Sequence, residues 1–454
     1  MSAMLLLAFL FQGTAVVLLR CRLGRRWLRR PMTILVLTSV VYQGLSSALL
    51  LIPSIREWDT YRNGIESSTL DNAALIISAG MLALTIAYLL MKPERAQAPD
   101  QPSIPELARV LDWRVLALCC APLAVLTYEG RGFNGGTSVS PTAPTGTVLA
   151  SSFFVLLVAL TAFSLVLARG PRWFVPILIG QSVILAAAGE RTPVLADAIV
   201  LSMLLCHAGI RPSGRQVRAA IAVAVLAALA ITGVRELGKR GVYRQDSSIG
   251  TRLSVLATGL GALHDQPAQA GPGQLAQAAT RIDGVAFAGA IMQAESFGQP
   301  RLGAAYVPES LLIVVPSALW PSKLTHGNAL NPVALETEDF GLQNINFLPT
   351  LPGLYAGFLP PWLLIAFLAA LGALCGAAEA WLLRSYSAQR FVLIAGSGIA
   401  ALTYEDGLPG MLLAFRPAVV IAAAVAVIGA LRARRMTRRK IEPGQLAPFQ
   451  IRSR

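Results

Sequence analysis

Apolar runs of roughly 20 residues recur along most of the chain, separated by short polar stretches in which arginine dominates. They fall at 3–19, 32–52, 72–91, 114–127, 147–168, 173–189, 193–210, 219–234, 353–382, 390–404 and 413–431. A soluble fold carries such runs only by burying helices on every side, and it does not repeat them at this spacing. The pattern predicts an all-α polytopic integral membrane protein of about eleven transmembrane helices. It also divides the chain: 1–234 as an N-terminal bundle of about eight helices, 235–352 as one large loop with short helices, 353–431 as about three further helices, and 432–454 as a basic tail.

Some segments break the pattern. In "ILAAAGERTPVLADAIV" (184–200), Glu190 and Arg191 stand between the sixth and seventh runs. Thr192 can cap the seventh helix and Pro193 suits its first turn, so the pair reads either as an ordinary helical-hairpin turn or as part of a site. Asp197 falls about two turns into the seventh run, and an intramembrane carboxylate is expensive unless it faces a cavity or a partner.

The large loop opens with "VRELGKRGVYR", which sets Arg235, Lys239, Arg240 and Arg244 close together. If the preceding helix continues outward, Arg235 shares a face with Lys239, and Arg240 with Arg244. "LSVLATGLGAL" (253–263) and "LAQAATRIDGVAFAGAIMQA" (275–294) have helical spacing but are short of a span, which predicts helices on the outer surface or capping a cavity. Pro308, Pro316 and Pro321 cut "YVPESLLIVVPSALWPSKLTHGN" (306–328) into pieces too short to cross, so an interfacial or re-entrant segment is expected. This segment carries Glu309, Lys323, His326 and Asn328.

Composition agrees with the pattern: 55% of the 454 residues are hydrophobic and 14% charged, and the mean hydropathy is +0.60. The net charge of +14 could suggest nucleic acid, but position argues otherwise. With the amino terminus outside, the segments 20–31, 92–113, 169–172, 211–218, 383–389 and the tail from 432 lie inside. About two thirds of the 38 Lys and Arg fall there or at the immediate edges. The other basic residues then fall outside, against the usual bias. The first run lacks a basic segment before it, so it is expected to be an uncleaved helix and not a signal peptide. Cys21, Cys119, Cys120, Cys206 and Cys375 read as small apolar filler, and three histidines are too few for a His-built metal centre.

Taken in order, "GERTP", "VRELGKRGVYR", "VVPSALWPSKLTHGN" and "LPTLPGLYAGFLPPWLLIAF" (348–367) resemble the O-antigen and oligosaccharide repeat-unit polymerases, a family related in topology to the O-antigen ligases. The resemblance covers roughly 180–370. The chain departs from it at Ser317, where many relatives carry a basic residue, and at Leu324, where they often have a second proline. It implies a GT-C-like multi-pass enzyme of the bacterial cytoplasmic membrane, with its amino terminus outside and its carboxyl terminus in the cytoplasm. Its substrates would be polyprenyl-diphosphate-linked oligosaccharides, its partners membrane lipid and other polysaccharide-assembly proteins, with no nucleic acid. The growing glycan would pass from its lipid carrier to the terminal sugar of another lipid-linked unit.

The residues suit such chemistry. A diphosphate leaving group needs fixed cations, and arginine contacts phosphate bidentately without deprotonating. Arg191, Arg235, Lys239, Arg240 and Arg244 are the dense outer cations, with Lys323 and Asn328 on the later segment. Charge stabilisation of the departing diphosphate would be the main catalytic contribution, so neither metal nor cofactor is required. The acceptor hydroxyl needs a base. His326 is the first candidate, then Glu309 and Glu190, then Glu405 or Asp406 in "TYEDGLPG"; Glu190 beside Arg191 suits orienting the arginine better than accepting a proton. The alternatives are a ligase using the same donor, and a transporter or flippase, which would show internal repeats and ionisable groups near the midplane.

Overall fold

The computed structural model describes residues 2–57, 64–92, 110–129, 145–187, 191–210, 213–216, 218–219, 222–223, 283–304, 306–312, 315, 340, 349–384 and 387–441. Within these, the side chains of 25–26, 125–129, 145–152, 186–187, 191–195, 309–310 and 432–441 are left aside.

The described residues are helical, with no strand among them. In chain order the helices are α1 (Ala3–Leu23), α2 (Pro31–Ser39), α3 (Leu45–Leu49), α4 (Ser67–Leu90), α5 (Trp113–Glu129), α6 (Thr145–Arg169), α7 (Phe174–Ala187) and α8 (Arg191–His207). There follow α9 (Ala286–Ser296), α10 (Tyr306–Leu312), α11 (Pro361–Leu382), α12 (Ala388–Leu402) and α13 (Gly407–Ile441). Five stretches are long and apolar enough to cross a membrane: Ala3–Leu23, Pro31–Leu49, Ser67–Leu90, Pro361–Leu382 and Tyr404–Leu431. Five shorter apolar helices accompany them. The chain reads as a helical membrane protein.

Its surface fits that reading. Leu118, Leu90, Leu374 and Val17 are large apolar side chains left well exposed, which lipid tolerates and water does not. Trp362 and Trp381 are exposed near the two ends of α11, roughly 28 Å apart along the helix. That separation is close to the thickness of a hydrocarbon core, with an amphipathic ring at each interface.

Several helix limits differ from those read in the sequence. The expected run 353–382 becomes a helix only at Pro361: residues 353–355 form a short 3-10 turn, and the Pro360–Pro361 pair sets the first helical position. The run 413–431 starts earlier, at Gly407, whose φ of 66° turns the chain from the Tyr404–Asp406 turn straight into α13. The run 32–52 is interrupted by a π turn at Val40–Gly44. The "GVAFAGAIMQ" portion of 275–294 is not laid on a surface. As α9 it is buried from Ala286 to Ile291 against Ile65, Leu70, Ala73 and Ile77. Eleven residues are too few to span but enough to plug an opening between longer helices.

Helix α4 is the hub, packed against α1, α9 and α11. Its seam with α11 is built on missing side chains. A Cβ on Gly372 would lie 2.1 Å from the Leu84 carbonyl oxygen and one on Gly376 2.8 Å from that of Tyr88, while Gly80 receives Leu368. This is the small-residue approach that lets helices touch backbone to backbone where no hydrophobic effect drives them together. Residues 80, 84 and 88 meet 368, 372 and 376 in rising order, so α4 and α11 run parallel.

Helix α2 runs opposite to α1. Gln12 donates to Gln43 at 3.1 Å and to Ser78 of α4 at 3.4 Å, and accepts from Ser39 at 3.0 Å. These buried amides and hydroxyls tie three helices together.

Candidate functional site at the end opposite the basic helix termini

Basic residues mark one end of the bundle. Arg30, just before α2, pairs with Glu379 near the end of α11 (Nη1 to Oε1, 3.1 Å), both almost fully buried. Tyr88 at the end of α4 borders this pair. His207, ending α8, packs edge-on against Phe391 of α12, with ring centroids 6.3 Å apart. Arg390 reaches the Trp381 carbonyl, and Gln216 reaches that of Pro171. Among the described residues, the basic ends of these helices therefore gather at a single face.

A polar assembly forms near the other end, from four segments far apart in sequence. The π turn places Tyr42, whose carbonyl accepts from Gly284 N at 2.9 Å and whose hydroxyl donates to Glu405 Oε2 at 2.7 Å. The Tyr42 ring stacks on Tyr404, with centroids 6.4 Å apart. Asp283 Oδ1 accepts from Ser46 Oγ at 2.8 Å and from the backbone N of Val285 and Ala286 just where α9 begins. Thr350, at φ 48°, donates its backbone N to the Glu405 carbonyl at 3.1 Å and its hydroxyl to Gly284 O at 3.4 Å. A side chain at 284 would strike Thr350 and the Tyr42 carbonyl, so glycine is needed for this convergence.

Two carboxyl groups thus belong to this assembly, each held by a hydroxyl donor. Glu405 is partly exposed while Asp283 is buried. A carboxylate oriented by a tyrosine hydroxyl and open on one side can accept a proton from an incoming hydroxyl. π turns inside helices are often found where a fold departs from regularity for function.

Of the residues singled out in the sequence, Glu190, Arg235, Lys239, Arg240, Arg244, Lys323, His326 and Asn328 lie outside the described residues. Arg191 is the first residue of α8 and Glu309 the fourth of α10, each described in backbone only. Since α8 ends at His207 on the basic face, Arg191 begins it at the end that holds Glu405. Asp406 closes the 3-10 turn beside Glu405, and Asp197 is fully buried inside the bundle.

Sequence reasoning passed over Tyr42, Asp283 and Thr350. "VVYQG" within an apolar run and "DG" before another were the available signals; the left-handed turn at Thr350 has none. Arg416, within the expected run 413–431, was not singled out. Because α13 starts at Gly407, Arg416 lies inside the helix, about 14 Å along it and just before Pro417. Comparison with family models, curated proteins and solved structures returns no match.

Proposed function

We propose that the protein polymerises polyprenyl-diphosphate-linked oligosaccharide repeat units at the outer face of the bacterial cytoplasmic membrane, crossing it about eleven times with its amino terminus outside. An acceptor sugar hydroxyl attacks the anomeric carbon of the donor glycan. The bond from that carbon to the diphosphate oxygen breaks, the diphosphate leaves with the electron pair, and a protein base takes the hydroxyl proton. Arginines around 191 and 235–244 offset the charge on the departing diphosphate.

The observation that carries this reading is the separation of the two ends. Basic helix termini collect on one face, as expected for a cytoplasmic side. Carboxylates with hydroxyl partners collect on the other, where α8 begins with Arg191. The order of the four sequence motifs supplies the choice of substrate. Of the base candidates, Glu405 has its orientation fixed by the Tyr42 hydroxyl.

A deletion strain tests the proposal through its lipid-linked glycans. Single repeats on lipid should accumulate while long polymer disappears. Full-length polymer that remains unattached would point to the ligase activity instead, and an unchanged glycan profile would remove both. Arg191→Ala should abolish polymer at normal membrane protein level, and full activity in Arg191→Lys would exclude bidentate phosphate recognition at that position.

A further inference from the structure

One buried carboxyl group serves neither the bundle's ion pairing nor the proposed glycosyl transfer. Asp197 is the seventh residue of α8, about 9 Å along the helix from its start, and none of its surface is exposed. Gln181 of α7, itself buried, donates Nε2 to Asp197 Oδ2 at 2.7 Å. Two oxygens of the same pair are left over: Asp197 Oδ1 and Gln181 Oε1 are both buried and receive no hydrogen bond among the described residues.

Among the described residues, the groups around Asp197 supply no counter-charge. Cys120 of α5 is the titratable neighbour from the facing helices. Thr161 of α6 lies against the Cys120 sulfur, at 3.7 Å. Arg29, Arg30 and His207 cluster at the basic face, and His207 is ten positions further along α8, roughly 15 Å away. Among the described residues no Lys, Arg or His pairs with Asp197. An ionised carboxylate here would give up its hydration for a single amide N–H.

One proton resolves the charge and the hydrogen-bond mismatch together. On Oδ1 it cancels the charge, turns an acceptor into a donor, and provides the kind of partner that Gln181 Oε1 lacks. A hard divalent cation such as calcium or magnesium takes about six or more oxygen ligands, and among the described residues the pair offers two free oxygens. We infer that Asp197 and Gln181 form a proton-binding site inside the bundle, with Asp197 held as a neutral carboxylic acid whose carbonyl oxygen accepts from Gln181. The site stands apart from the glycosyl-transfer reading and does not depend on it.

Infrared difference spectroscopy on the purified full-length protein in lipid nanodiscs tests this. At neutral pH, wild type minus Asp197→Asn should show a carbonyl band of a protonated carboxylic acid that the variant has lost. Asparagine keeps an acceptor and a donor in the same places, so the variant should melt at the wild-type temperature. A difference spectrum containing carboxylate bands and no acid band overturns the inference. So does a wild-type melting temperature that rises in sodium chloride over choline chloride while that of Asp197→Asn does not, since a metal ion would then occupy the site. Should Asp197→Asn fail to fold, Gln181→Ala reads the same group. Removing the amide should shift the acid band to higher frequency, and an unmoved band refutes the pairing.

Discussion

Arg30 and Glu379 carry opposite charges out of water at the basic face, with side chains only 7% and 6% exposed. Their attraction has to offset the desolvation of both, so the pair adds little net stability, but removing one partner strands the other. Arg30→Ala should therefore destabilise the protein by about 3–5 kcal/mol. The double replacement Arg30→Met with Glu379→Met should recover most of that loss, as read by thermal unfolding in lipid nanodiscs. If the double variant is as unstable as the single one, the pair is not acting through an uncompensated charge. At this scale the sequence was informative only where a residue conflicts with its surroundings. Asp197 stood out as a carboxylate within an apolar run, whereas Arg30 and Glu379 looked like ordinary ends of two distant helices. Glu405 was visible as a base candidate, but its tyrosine partner was not, because the two are brought together only by tertiary packing.

Helices were easy to read and their relations were not. Long apolar runs identify themselves: each expected run corresponds to a helix, with 219–234 lying almost wholly outside the described residues. Limits shifted where backbone chemistry overrode hydropathy, as at Pro361 and Gly407. The burial of α9 was hidden because an eleven-residue apolar helix looks the same on a surface and inside a bundle. "GALCG" in α11 did contain the signal for a close helix contact, though not the identity of its neighbour. The seam gives a sharp expectation. Gly372→Ala puts a methyl group where the Leu84 carbonyl lies, which should push α4 and α11 apart and destabilise by about 1–3 kcal/mol. Gly13→Ala, facing open space within α1, should be neutral or stabilising by about 0.5–1 kcal/mol. Chemical denaturation of both variants beside wild type checks the contrast, and equal effects would show that the seam tolerates a side chain.

Among the described residues, basic helix termini gather at one end of the bundle, and the arginine positions in the sequence lead to an expectation of that kind. The site was less legible, because its motifs fall mainly on 235–282 and 316–339, outside the described residues, while the polar assembly that is described draws on segments with no motif of their own. The orientation can be tested directly in a cysteine-depleted background. Gln299→Cys, near the Glu405 end, should react with a membrane-impermeant maleimide on intact cells; Ser213→Cys, beside Pro171 on the basic face, should react only after permeabilisation. The reverse pattern would invert the proposed orientation and remove the outer-leaflet reaction with it. The parallel seam between α4 and α11 also sets an order of assembly. Helix α4 enters the membrane early, yet the glycines that its Leu84 and Tyr88 carbonyls pack against belong to a helix synthesised only after all of 91–360 has been made. Until then the hub presents an uncovered face to lipid, so the bundle can be inserted piece by piece but closes only once about the last fifth of the chain arrives, and a nascent chain that stalls before α11 carries an open seam that marks it as unfinished.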